Sequence, residues 1–358
     1  MSDEPRGALA ERFRRLIRQT GPISLARYMG ESNAHYYNTR DPLGASSRED
    51  AGDFITAPEV SQIFGELIGV WLADIWTRAG RPDPVHYVEL GPGRGTLAVD
   101  ALRSAARFGL RPQVHFVEGS QALRRVQQQA VPGAVHHHDL SGLPGDGPIL
   151  FAANEFFDAL PIRQLVRTGD GWRERMVGLD RDDLVYVSGA QPMDAALPAE
   201  LRDAAEGTVI ETCPAAAAIM REIARLIAAQ GGAALVVDYG ARSLQPGETV
   251  QALRAHRKLG IFDAPGEADL TAHVDFAALA AAAHEQGARL LGIEEQGAWL
   301  RALGIDARTE ALARAAPDMA QVLARQRERL VADDQMGQLF KVMGLAAPGW
   351  PDGAGFPA

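Results

Sequence analysis

The stretch Val85-His86-Tyr87-Val88-Glu89-Leu90-Gly91-Pro92-Gly93-Arg94-Gly95 decides the fold. Val85 to Leu90 is a β-rich run of strand length with an acid near its end, and three alternate glycines follow. Thr96 to Arg107 (TLAVDALRSAAR) then repeats apolar residues at helical spacing, so strand, glycine loop and helix succeed one another. Glycine lets such a loop turn tightly and lets a ligand approach its backbone. A nicotinamide fingerprint G-x-G-x-x-G would need glycine or alanine where Thr96 stands, and a phosphate-binding G-K-[ST] would need a lysine that this stretch lacks. Taken alone, the loop is also compatible with an ordinary tight turn.

What remains is acid-x-G-x-G-x-G, Glu89 through Gly95, which resembles the first motif of class I S-adenosylmethionine (SAM) methyltransferases. The next run, Arg111 to Glu118 (RPQVHFVE), is again short, β-rich and ends in an acid. An acid at the end of the second strand of such a fold is where a cofactor ribose is held by its hydroxyls, and Glu118 fits that role. Asp139 and Leu140 follow the third strand, where SAM enzymes commonly contact the adenine; a solvated loop acid is the alternative reading. His136, His137 and His138 are adjacent, so their side chains diverge and cannot share one metal; we expect no metal site.

Pro148 to Pro161 (PILFAANEFFDALP) opens with an apolar run that reads as a central strand covered on both faces. Ligands in open α/β sheets sit outside the carboxyl ends of the strands, so Asn154, Glu155 and Asp158 cluster where chemistry is expected. Later strands are expected at Val209 to Cys213, Ala233 to Asp238, Ala288 to Glu294 and Gln338 to Leu345. Single helices are expected from Glu59 to about Thr77, capped by Thr56 or Ala57 ahead of Pro58, and from Arg308 to Val331. Tyr36 to Gly44 reads as a loop, either a lid or irregular surface. Gln164 to Val187 reads as antiparallel strands, and residues 241 to 270 as irregular. Residues 1–80 form a helical or lid segment in this reading, and 81–358 the core, with insertions at about 162–208 and 241–272.

The 358 residues suffice for one large domain with insertions or for two domains. No apolar run reaches the roughly 18 residues a membrane-spanning helix requires. A net charge of −10 argues against nucleic acid as partner, since backbone binding needs clustered Lys and Arg. The single cysteine, Cys213, excludes an intramolecular disulfide and suits a reducing compartment.

Four stretches, GDFITAPEVSQIFGELIGVW, VELGPGRGTL, ANEFFDALP and GEADLTAHVDF, together resemble the MidA-like family of SAM-dependent methyltransferases, the likeness spanning roughly residues 21 to 345. The resemblance implies a class I methyltransferase, an α/β protein with a Rossmann-like seven-stranded sheet, that methylates a protein arginine in a respiratory complex I subunit. It further implies that Glu89, Gly91, Gly93 and Gly95 line the cofactor, that Glu118 holds its ribose, and that Asn154 sits at the methyl-transfer crevice. Thr56, Pro58 and Glu59 would close over that crevice, with His273 and Asp275 on the substrate side. Glu155, supported by Asp158, is the expected holder of the guanidinium. The family's mitochondrial transit segment is not seen in the first residues, which points to a cytoplasmic member. A small-molecule methyltransferase and a non-catalytic assembly chaperone are the rival readings.

Overall fold

A computed structural model describes residues 7–39, 55–197, 201 and 203–357. The chain divides into two compact units, one drawn from Met1–Phe54, Asp158–Ala217 and Ser243–Asp275, the other from Ile55–Phe157, Ala218–Arg242 and Phe276–Ala358.

The second unit carries a sheet of β1 (His86–Leu90), β2 (Gln113–Val117), β3 (Val135–His137), β4 (Ile149–Asn154), β5 (Gly232–Ala241), β6 (Arg289–Glu295) and β7 (Phe340–Ala346). Their order in space is β6-β7-β5-β4-β1-β2-β3. The five strands from β5 to β3 pair in parallel, while β7 runs antiparallel to both β5 and β6. This is the class I methyltransferase sheet, late hairpin included. Parallel strands joined through helices are buried on both faces. Accordingly Tyr87, Leu150, Ala152 and Leu235 on one face, and Val88, Phe151, Ala153 and Val236 on the other, are all buried.

The helix Gln62–Arg78 packs onto the helix Thr96–Ala105, and glycine sets how closely. A Cβ at Gly69 would lie 2.1 Å from the Ala101 carbonyl oxygen, so no side chain fits. The expected single helix from Glu59 is two, Ala57–Val60 and Gln62–Arg78, because Ser61 is extended and its hydroxyl accepts from the Ile63 N–H. The expected helix Arg308 to Val331 is likewise two, Ile305–Ala315 and Ala320–Val331, separated at Pro317, which has no N–H to continue the ladder.

In the first unit, Ile23–Ser24, Arg163–Thr168, Gly171–Asp180, Asp183–Pro192 and Val209–Thr212 form a five-stranded sheet. Residues 241 to 270, expected to be irregular, contain the strands Gln251–Arg254 and Arg257–Leu259, which pair with each other, and Asp269–Thr271 on the other side of the first. Their hairpin turns on Ala255 and His256, both left-handed at φ 48° and 58°, a pair without the usual Asn-Gly signature. Tyr36 and Tyr37 are not in a loop: they close the helix Leu25–Thr39, and Tyr37 donates to the Asp269 carboxylate. Positions 40–44 of the expected lid lie outside the described residues, as do Gly52, Asp53 and Phe54.

Alternation along β1 separates two sets of polar residues. Tyr87 and Glu89 share one face, and the buried Tyr87 hydroxyl donates to Glu89 Oε2 at 2.6 Å. Burial pushes the Glu89 carboxyl up to about 8, against the opposing pull of that hydrogen bond. On the other face His86, His115 and His137 form a chain, with His86 Nδ1 3.2 Å from His115 Nε2 and His115 Nδ1 3.0 Å from His137 Nε2. The chain ends at Asp146 Oδ1, 3.0 Å from His86 Nε2. Three neutral rings protonated on Nε2 satisfy every link in one direction, and burial with the neighbouring rings holds His115 down to about 4.

Two outcomes follow for stability. Gly69→Ala forces the two helices apart, and the overpacking cost outweighs the helix-propensity gain by about 1–2 kcal/mol, read as a lower denaturant midpoint at unchanged slope. For Glu89 the folded-state value lies above the ordinary carboxylate value of 4.5, so its contribution is complete below pH 4.5 and is lost as pH rises through about 8. Glu89→Gln, which keeps an acceptor for Tyr87, should flatten the decline in midpoint between pH 5 and pH 8; an unchanged slope would show Glu89 ionised in the folded state.

Candidate functional site

Three of the parallel strands, β1, β2 and β4, hand their chain to the site at the same point. One residue past the strand, Gly91 N–H donates to Val117 O, Glu118 N–H to His137 O and Glu155 N–H to Val237 O, at 3.0, 3.1 and 2.9 Å. Beyond these bonds the backbone turns away. Gly91, Gly93 and Gly95 all adopt left-handed φ, 58°, 53° and 83°, and Gly95 forms the N-terminal boundary of the helix Thr96–Ala105. A Cβ on Gly91 would stand 2.9 Å from the Phe156 ring, so this glycine answers both to its φ and to a close neighbour.

A cavity of about 420 Å³ opens beside this edge, lined by Leu90, Val117, Glu118, Asp139, Leu140 and Phe156 among others. Its size is that of a small-molecule site. Glu118, half-buried on its wall, accepts from the Ser120 N–H through Oε1 at 2.8 Å and from Gln127 Nε2 through Oε2 at 3.1 Å. Burial raises its carboxyl, and these two donors oppose the rise. Asp139 is exposed; its Oδ1 accepts from the Ser141 N–H and hydroxyl, which hold its carboxyl below the ordinary range. The neighbouring Leu140 is buried.

Glu89 lies inside the core on Tyr87 rather than on the wall of this cavity. Asn154 ends β4 and donates through Nδ2 to Glu155 Oε1 at 3.2 Å, while its buried Oδ1 finds no donor among the described residues. Glu155 is itself left-handed at φ 50°, and its Oε1 also accepts the Ala57 N–H at 3.1 Å. The cap expected from Thr56 thus comes from Glu155: Thr56 stands at the N-cap without a side-chain bond, with Pro58 buried behind it. Glu59 Oε1 accepts from the Thr96 hydroxyl at 2.6 Å, joining the Ala57–Val60 turn to the helix after the glycine loop.

The remaining expected residues belong to the other unit. Asp158 is buried there, its carbonyl accepting the Ala272 N–H, and its charge joins burial and Asp269 in raising the Tyr37 phenol. His273 is exposed and donates its N–H to the Thr249 hydroxyl; Asp275 ends the strand Val274–Asp275. Sequence reasoning passed over Gln127, which is fully buried and bonded at once to Gly93, Glu118 and His136. Its only signal was a polar residue four after Leu123, on the helix face that should be apolar.

Residues 67–294 match the family described as S-adenosyl-L-methionine-dependent methyltransferase. The chain is 37% identical to "Protein arginine methyltransferase NDUFAF7, mitochondrial" of Xenopus laevis, over 91% of this chain and 81% of that protein. The human protein of that name is 36% identical over 92% and 81%. Among solved structures, one from Burkholderia thailandensis bound to S-adenosyl-homocysteine superposes with a TM-score of 0.80 at 27% identity, covering 98% of this chain and 93% of that one. The expected cytoplasmic location is corrected by these relatives, whose names place them in mitochondria.

The residues at the sheet edge fit the cofactor of this family. Leu90, Val117, Leu140 and Phe156 give apolar walls for a flat base, and Gly91, next to Leu90, is left-handed with the Phe156 ring standing where its Cβ would be. Glu118 accepts from the Ser120 N–H and the Gln127 amide, with the Gly119 N–H also turned to it, and keeps acceptor capacity for a ligand hydroxyl, since a carboxylate has about four acceptor positions. Together with the family match and the identity across nine-tenths of the sequence, this places the chain in the family of S-adenosylmethionine-dependent methyltransferases.

Proposed function

We propose that the protein methylates an arginine side chain of another protein, a subunit of respiratory complex I. The observation that carries the reading is the identity, across nine-tenths of the chain, to relatives named protein arginine methyltransferase. The NDUFAF7 name supports the complex I assignment, and the net charge of −10 favours a protein over a nucleic-acid substrate.

When bound, the cofactor supplies a methyl group on a positively charged sulfur open to in-line displacement. In this reading Glu118 accepts the ribose hydroxyls, Asp139 and Leu140 border the adenine, and the glycine loop with Asn154 receives the amino-acid end. Asn154 Oδ1, buried without a donor among the described residues, is suited to an ammonium or amide N–H. An arginine arrives protonated, its pKa above about 12, and must be oriented before it reacts. A carboxylate does this through paired N–H···O bonds. Glu155 is the residue we assign, because the Ala57 N–H and the Asn154 amide hold its carboxylate and its backbone is fixed in a costly conformation.

Glu118→Gln should weaken S-adenosyl-homocysteine binding about tenfold by calorimetry, the loss expected when charge-assisted hydrogen bonds become neutral. Glu155→Gln should bind that product within about threefold of wild type yet lose about a hundredfold in transfer, as misorientation at a reacting centre does. Transfer is read by mass spectrometry of arginine methylation on complex I subunits taken from a strain lacking this protein. If the wild-type protein binds the cofactor but methylates no arginine in those subunits, the substrate assignment fails and the cofactor assignment stands.

A further inference from the structure

The helix Gln121–Ala130 (QALRRVQQQA) carries three consecutive glutamines, and only Gln127 is buried, with none of its surface exposed. A buried amide is costly unless every polar atom is paired. Here they are. Nε2 donates to the Gly93 carbonyl at 2.8 Å and to Glu118 Oε2 at 3.1 Å, and Oε1 lies 3.1 Å from His136 Nε2. The amide has one orientation, because reversing it would set its oxygen against a carbonyl and a carboxylate. His136 must therefore donate from Nε2, which leaves Gln127 clamped between β3, the glycine loop and the acid after β2.

We infer that Gln127 is a positioning residue that fixes the Glu118 carboxylate relative to the glycine loop, and so sets recognition of the cofactor's ribose hydroxyls. The inference rests on the reading that Glu118 holds those hydroxyls. Two bonds converge on one NH2 group, so Glu118 Oε2 cannot swing away without leaving a buried N–H unpaired. Arg124 reinforces the same corner by donating to the Glu118 carbonyl through Nε at 2.8 Å and to the His137 carbonyl at 2.9 Å. Its bonds go to backbone, so it steadies the turn, whereas Gln127 alone among the described residues holds both the carboxylate and the loop.

The test pairs a protein change with a ligand change. S-adenosyl-homocysteine and its 2′,3′-dideoxyribose analogue are titrated calorimetrically into wild type, Gln127→Met and Gln127→Glu. Wild type should bind the dideoxy analogue at least about tenfold more weakly. In Gln127→Met, which keeps the length but cannot hydrogen-bond, affinity for the natural ligand should fall about tenfold and the hydroxyl factor should shrink to twofold or less. A uniform loss with the wild-type hydroxyl factor intact would make Gln127 a packing residue and overturn the inference. Gln127→Glu covers the case in which the methionine variant does not fold. Its carboxylate faces Glu118, so binding should recover as pH falls from 8 to 5.5 and one shared proton restores a donor; pH-independent binding would also overturn it. A wild type indifferent to the hydroxyls would refute the Glu118 reading itself, and the role of Gln127 with it.

Discussion

The parallel pairing of β1 between β2 and β4 is the constraint on which the rest of the site depends. Leu90 lies opposite Val117 on one side and Ala153 on the other, so the carboxyl ends of three strands meet along one edge. Parallel strands cannot be joined by tight hairpins; each must leave the sheet and return through a crossover. Three exits are therefore stacked side by side, and each begins just after a final backbone bond to the neighbouring strand. The residues in those exits, Gly91, Glu118 and Glu155, acquire their places from sheet geometry before any side chain contributes. That is why ligands settle at this edge of open α/β sheets.

Burial then differentiates acids that look alike in sequence. Glu89 points back between sheet and helix, where the medium opposes its charge and favours the protonated form. Glu118 is half-buried with two N–H donors, so the same opposition is partly cancelled. Asp139 is out in solvent on the Ser141 donors and ionises readily. Charge at the site thus grows from the sheet outward, set by solvent access and donor count more than by the ions themselves. On the opposite face of β1 the histidine chain obeys the same rule: burial and neighbouring rings keep His115 neutral, and neutral rings can pass one hydrogen-bond direction along the row.

The glycine loop, the acid after the second strand and the closing hairpin were legible because each has a local signature: spacing, a strand-end position, period-two apolar runs. Other features were not, for identifiable reasons. Ser61 breaks a helix that apolar periodicity alone would continue, since a hydroxyl competing for the Ile63 N–H does not alter the apolar pattern. Ala255 and His256 turn a hairpin that ordinarily announces itself through glycine or asparagine, because tertiary context sustains left-handed backbone that local propensity disfavours. Gln127 is hidden among identical neighbours; which of three glutamines is buried depends on helix phase, and what it binds depends on how the glycine loop, the turn after β2 and the strand β3 come together.

At the end of β4 two local costs stand next to each other: an amide oxygen buried without a donor among the described residues, and a glutamate held in left-handed backbone. Either would ordinarily be removed, since Gly at 155 relieves the strain and an apolar residue at 154 removes the orphan. Both are retained at the strand end nearest the proposed chemistry. The surrounding structure over-determines them, through Glu155 N–H on Val237 O and its carboxylate on Ala57 N–H. Strain of this kind clusters at functional sites, where a group is held ready for a partner, and also occurs at plain turns such as Ala255-His256; at Glu155 it is the adjacent buried amide oxygen that favours the first reading. A donor supplied by a ligand would satisfy Asn154 Oδ1, converting a defect of the free protein into binding energy.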